Sequence, residues 1–252
     1  MSFFDKVKAS IGIGAVKVDT QLGKKVCRVG EEVNGVIRME GGNVSQNIQA
    51  VKLYLMTEVK KESDDKEYYV DEPIQIFTVS NGIEIGKGER KDIPFSFILP
   101  PNTPVTFGRT KVWVRTELDI PMALDQQDKD YIRIEPSIAV STAVQAVEIL
   151  GFTLRKVDCE YQRGVVQEFE FYPTSGNYKG VLDELEMVFN VHSTGLNIRL
   201  QVDRRARNLG SLLSEMMNMD ETNTGLYLSD TDISQGPHHV ARKINEVISR
   251  YS

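Results

Sequence analysis

Across its first 135 residues the chain alternates apolar and polar side chains, the period of two that a strand with one buried face requires. Val33, Gly35, Ile37 and Met39 share one parity, against Asn34, Val36, Arg38 and Glu40 on the other. Val51, Leu53, Leu55 and Val59 repeat the pattern, as do Ile93, Phe95, Phe97 and Leu99, and Val112, Val114, Leu118 and Ile120. Turn signals separate these runs: Gly23-Lys24-Lys25, Gly41-Gly42-Asn43, Asn81-Gly82, Gly86-Lys87-Gly88 and Pro100-Pro101-Asn102. Glycine supplies positive φ and proline a fixed φ, so the chain reverses there. Short strands at this spacing without long helices between them predict a β-sandwich.

Length then asks for more than one such unit. The chain has 252 residues, and 40% hydrophobic with 26% charged side chains is enough to build packed cores. The best boundary is Glu135-Pro136-Ser137, giving an N-terminal domain over 1–135 and a C-terminal domain over 136–252. Beyond it helices enter. Thr142 and Gln145 form a capping box, Val144 and Val147 sit at helical spacing, and Gly151 ends the helix. Strands resume over Phe152 to Tyr161, Val165 to Tyr172, Leu185 to Val191 and Ile198 to Val202. Leu209, Leu212, Leu213 and Met216 predict another helix, and Gly225 to Leu228 a last strand.

Both termini read as amphipathic helices. Phe3, Phe4, Val7 and Ile11 make one apolar stripe over 2–12. Val240, Ile244, Val247, Ile248 and Tyr251 make another over 237–251, opened by Pro237. Helices this short need a surface to lie on. It is their own domain, a second copy, a partner or a membrane. Phe3, Phe4, Val7, Ile11, Val240, Ile244, Val247 and Tyr251 are therefore the candidate interaction surface.

Charge limits the partners. The formal net charge is −6, which argues against nucleic acid, whose phosphates need clustered Lys and Arg. Arg204, Arg205 and Arg207 are the densest basic group and read as a solvated stretch. No run reaches the ~18 apolar residues that would span a membrane, so membrane contact is at most peripheral. Two distant cysteines, Cys27 and Cys159, fit reduced thiols in a cytoplasmic protein, with a bridge still open.

Two segments carry a resemblance. Gly30-Glu31-Glu32-Val33-Asn34-Gly35 resembles the Gly-Glu-x-Val-x-Gly turn and strand of arrestin-like N-terminal sandwiches. Ile93-Pro94-Phe95-Ser96-Phe97-Ile98-Leu99-Pro100 resembles their Pro-Phe-x-Phe-x-Leu-Pro strand end, followed by Pro104 and Val112-Trp113-Val114. With the amphipathic start and Leu150-Gly151-Phe152-Thr153-Leu154-Arg155, the whole chain resembles the bacterial sporulation-control protein M family of the arrestin-like superfamily. The resemblance implies a mainly β fold of two arrestin-like β-sandwich domains in tandem, with short helices at both termini and in the second domain. It also implies a regulatory role in the starvation response, contacts with cytoplasmic proteins, and no catalytic residues.

Chemistry is present only as near misses. His238 and His239 are adjacent, so on a helix they diverge and do not form an i, i+4 metal pair. His192 reads as a turn residue at a strand end. Gly12 and Gly14 lack the preceding strand and third glycine of a dinucleotide loop. Asp220 to Gly225 begins like a calcium loop, but Thr231 stands where a bidentate Glu belongs. Asp125, Asp128 and Asp130, and likewise Glu62, Asp64, Asp65 and Glu67, read as solvated loops, with weak calcium binding the sharper alternative. The expectation is a non-enzymatic, cofactor-free binder of cytoplasmic proteins, able to pair with a second copy through its terminal helices.

Overall fold

The computed structural model describes residues 15–63, 66–121, 126–204 and 222–250. Phe3, Phe4, Val7 and Ile11, the helix expected around Leu209, and Tyr251 lie outside these residues. The fold is mainly β with a few helices. Its chain divides into two compact units, one within 1–58, 69–106 and 111–135, the other within 59–68, 107–110 and 136–252.

The first unit contains β1 (Lys17–Leu22), β2 (Val26–Arg28), β3 (Glu32–Glu40), most of β4 (Gln46–Ser63) and of β5 (Lys66–Ile85), β6 (Arg90–Ile98), β7 (Val112–Asp119) and β8 (Gln126–Glu135). One sheet has the order β1-β3-β6, antiparallel throughout. In the other, β4 pairs with β5 and β7, β7 with β8, and β2 runs parallel to β8. The alternation seen in the sequence is the burial pattern of this sandwich. Ile37, Met39, Phe95 and Phe97 from one sheet meet Leu53, Leu55, Val112 and Val114 from the other in a single core. Thr20 and Thr116 are also buried, and their hydroxyls share a 2.6 Å hydrogen bond.

The two resembling motifs lie against each other. Gly30 takes φ +84°, turning the chain so that its N–H reaches the Leu99 carbonyl at 3.1 Å. The Leu99 N–H returns to the Glu31 carbonyl at 3.0 Å. Further along, Gly35 faces β1 and the Phe95 ring so closely that a Cβ would lie 2.7 Å from Phe95 Cζ.

Three local expectations change. Asn81-Gly82 is not a hairpin turn: Gly82 has φ +66° inside β5, so the strand continues past it. Asp128 and Asp130 are on β8, and Glu62 and Glu67 on β4 and β5, rather than in loops. The helix after the boundary starts a turn earlier than Thr142. It is α1 (Ile138–Ile149), with the Ser137 hydroxyl accepting the Val140 N–H at 3.3 Å. Pro136 explains the placement, since it disfavours helix in the residue before it and leaves Ser137 free to cap.

In the second unit β9 (Phe152–Tyr161), β10 (Val165–Pro173), β11 (Leu182–His192), β12 (Gly195–Arg204) and β13 (Thr222–Ser229) form an antiparallel sheet in sequence order. A 3-10 turn, Gly176–Tyr178, precedes β11. Two further helices follow β13: α2 (Asp230–Ser234) and α3 (Pro237–Ile248). Among the described residues the layer over this sheet is helical. α1 packs on β9, β11 and β12, and α3 packs on α1 and β13.

Candidate interaction surface

The apolar stripe of α3 is consumed by its own unit. Val240 and Ile244 are fully buried, and Val247 and Ile248 are buried beside them. α1 offers Val140, Ala143, Ala146 and Val147 in return, small and branched side chains that let two helices approach closely. Val240, Ile244 and Val247 are thus not an open surface, which corrects the expectation that placed partner contacts there. The buried face of α3 is the one its periodicity predicts, but periodicity identifies a face and not what covers it.

Among the described residues, a sheet edge in the first unit presents backbone groups to a partner. β6 is the last strand of its three-stranded sheet. Its hydrogen-bond phase is fixed at both ends. Leu99 N–H bonds the Glu31 carbonyl at one end, and Gly41 N–H bonds the Glu89 carbonyl at 2.8 Å at the other. Odd-numbered residues of β6 therefore bond to β3, and even-numbered ones turn their backbone outward. The outward donors belong to Arg90, Asp92, Ser96 and Ile98. Pro94 stands among them without an N–H, a device that shortens an open edge and guards it against uncontrolled pairing.

An open groove of about 460 Å³ flanks this edge, lined by Ser80, Gly82, Ile83 and Glu84 of β5 and by Lys91, Asp92 and Ile93 of β6. Lys91 Nζ bonds the Glu84 carbonyl at 2.5 Å and pairs with Glu89 at 3.3 Å. Phe77 of β5 stacks on Phe97 of β6, ring centres 4.4 Å apart, which holds the two walls of the groove. Ile98 at the end of the edge is 59% exposed. Ser96 and Ile98 alternate with Phe95, Phe97 and Leu99, so parity puts their side chains on the opposite face from these. That β6 ends its sheet was not readable, because sheet order is a tertiary fact.

Several charged groups elsewhere are engaged within the fold. On the second unit's sheet, Lys60, Lys156, Asp158, Glu168, Glu170 and Glu186 surround a small space of about 70 Å³. Asp158 is buried with Lys156 Nζ 2.8 Å from one carboxylate oxygen. Burial pushes the Glu168 carboxyl up, reinforced by Glu160 nearby. Asp128 accepts the Thr20 N–H at 2.6 Å, so it bridges β8 to β1. Asp130 beside it is pushed up to about 6, chiefly by burial and then by Asp128.

Two of the three histidines are held by local contacts. Asp232 caps α2 in a reciprocal box with Ser229, and receives His239 at 3.1 Å and Lys243 at 2.6 Å. His192 pairs with the Asn197 amide at 3.1 Å. Cys27 and Cys159 are both buried, and no disulfide joins them. Among the described residues no group of three or more His, Cys, Asp or Glu is placed to hold a metal ion. No described helix is long and apolar enough to cross a membrane.

Comparison with known proteins gives a coherent set. The family model described as SpoOM protein matches residues 4–206. The sporulation-control protein spo0M of Bacillus subtilis (strain 168) is 40% identical over 258 residues, covering 100% of both chains. The crystal structure of Spo0M from Bacillus subtilis superposes with a TM-score of 0.84 at 38% identity, over 95% of this chain and 100% of that one.

Proposed function

The chain belongs to the SpoOM protein family, and we propose that it is a non-catalytic regulator of sporulation or of the starvation response, acting in the cytoplasm by binding other proteins. Its relative's name as a sporulation-control protein supports the process. An arrestin-like adaptor mechanism is the reading favoured by the sandwich of the first unit.

The observation that carries the mechanism is the edge of β6, where Arg90, Asp92, Ser96 and Ile98 present outward N–H groups beside an open groove. An extended segment of a partner would add itself as a strand there. Main-chain bonds would supply affinity, and contacts with Ile98 and the groove would supply selectivity. Pro94 confines that pairing to a short register, which suits a regulated and reversible contact. No nucleic acid, cofactor or metal enters this reading.

Ser96→Pro tests it. The substitution deletes an outward donor while leaving the odd-numbered bonds to β3 in place. In starving cells, spore counts should shift in the deletion strain, and Ser96→Pro should reproduce that shift with the protein still folded. Crosslinked partners should be lost in parallel. A deletion strain with an unchanged spore count would remove the regulatory role. Parent-like behaviour of Ser96→Pro would remove the β6 edge from the mechanism.

A further inference from the structure

The outer face of the β1-β3-β6 sheet carries a charge pattern that is its own complement. Across the strands, Lys17 lies opposite Glu40, and Glu40 opposite Arg90. Two residues along, Asp19 lies opposite Arg38, and Arg38 opposite Asp92. One row thus reads positive, negative, positive, and the next reads negative, positive, negative. All six side chains line one open groove of about 810 Å³. Their pairing within the chain is loose: Arg38 to Asp92 is 3.7 Å and Arg90 to Glu40 is 3.3 Å, with Arg90 81% exposed.

We propose that this face is an interface between two copies of the chain. A two-fold axis lying across the strands, between the two rows, sets each row against the other in the partner copy. Lys17 then meets Asp19, Glu40 meets Arg38, and Arg90 meets Asp92, each with a symmetry mate. An axis along the strands would instead put Lys17 against Arg90, so the pattern selects one orientation and rejects the other.

The flanks fit the same axis. Val36 and Pro94 are paired neighbours beyond the second row. Gly42 and Gly88, joined by a 3.2 Å backbone bond, lie beyond the first. The bulkier pair of one copy falls over glycines of the other, where no side chain obstructs approach. The long charged side chains can then interdigitate in the groove. Such a contact uses the sheet face and leaves the outward backbone of β6 untouched, so it is separable from partner binding at that edge.

The test is a charge exchange between two preparations of the full chain, read as mass in solution by light scattering. In about 50 mM salt the parent chain should show a two-chain mass. In about 1 M salt, where charges are screened beyond about 3 Å, it should dissociate. Arg38→Glu alone and Glu40→Arg alone each create two like-charge contacts, so each should weaken pairing about tenfold or more. An equimolar mixture of the two should recover the two-chain mass, because both altered contacts become opposite in sign again. Lys17→Asp mixed with Asp19→Lys provides a second, independent exchange. A parent chain that is a single copy at low salt overturns the proposal. So does a dimer indifferent to the single substitutions, or mixtures that stay dissociated in both exchanges.

Discussion

The Tyr178 hydroxyl donates to Asn245 Oδ1 across 2.8 Å, tying the 3-10 turn before β11 to the middle of α3. Tyr178 is itself buried, and its ring lies 5.4 Å from that of Phe152 at the start of β9. The last helix is therefore held at its polar side as well as along its apolar stripe. Its removal should be a loss of core, not of a docking peptide.

Ile244→Ala should cost about 3 kcal/mol, the range for truncating a fully buried aliphatic side chain. Tyr178→Phe should cost about 1 kcal/mol by leaving Asn245 without its donor. Chemical denaturation of the two variants checks both values. Deleting 237–252 should unfold the second unit, seen as lost amide protection in β9 to β13; retained protection there would show that α3 is dispensable.

Stability should also depend on pH through Asp130. Its carboxyl ordinarily titrates at 3.8 and is pushed up to about 6 in the fold, first by burial and then by Asp128. Between those values the folded state holds more protons than the unfolded one. Stability therefore falls as pH rises through this window, and the cost is complete above it. The group is partly exposed, so solvent screening leaves a cost of about 1 kcal/mol. Asp130→Asn should stabilise by that amount at pH ~7 and by nothing at pH ~3. Denaturation midpoints of parent and variant at the two pH values give the comparison.

Gly35 links the sequence motif to the packing. A methyl group at this position would collide with the Gln21 carbonyl on β1 and approach the Phe95 ring to 2.7 Å. Backbone on one side and a core ring on the other leave nothing free to move. Gly35→Ala should therefore cost about 2–3 kcal/mol through overpacking. Gly30→Ala should act differently, since its strain lies in φ +84° with open space around the Cβ. Thermal melts of the pair separate collision from backbone strain.

What the sequence made legible follows from where the information is stored. Alternation at Ile37 and Met39, or at Phe95 and Phe97, is local, and each of these side chains is in the core. The Gly30 turn and the opening of α3 by Pro237 at its first position are local too. Asn81-Gly82 differs because the same dipeptide that closes hairpins also fits an irregular strand residue, and β5 runs on through it to Ile85. The interaction surface was harder. Burial of Val240 and Ile244 is decided by α1, a hundred residues earlier, and the edge position of β6 by which strands happen to pair with β3.

A polar contact lies inside the first sandwich. Thr20 on β1 and Thr116 on β7 are both buried, and their hydroxyls are 2.6 Å apart, so each satisfies the other across the two sheets. Thr20→Val removes one hydroxyl and leaves Thr116 buried without that partner; Thr116→Val does the converse. Each should cost about 1–2 kcal/mol, mostly the desolvation of the hydroxyl left behind. The double substitution replaces both by methyl groups of similar shape, so no orphan remains. Its cost should fall well below the sum of the singles, with a coupling of about 1 kcal/mol or more in a double-mutant cycle. Strict additivity would mean that the two hydroxyls find other partners, and that β1 is held by Val16, its strand pairing and the Thr20 N–H bond to Asp128 without help from the hydroxyl pair.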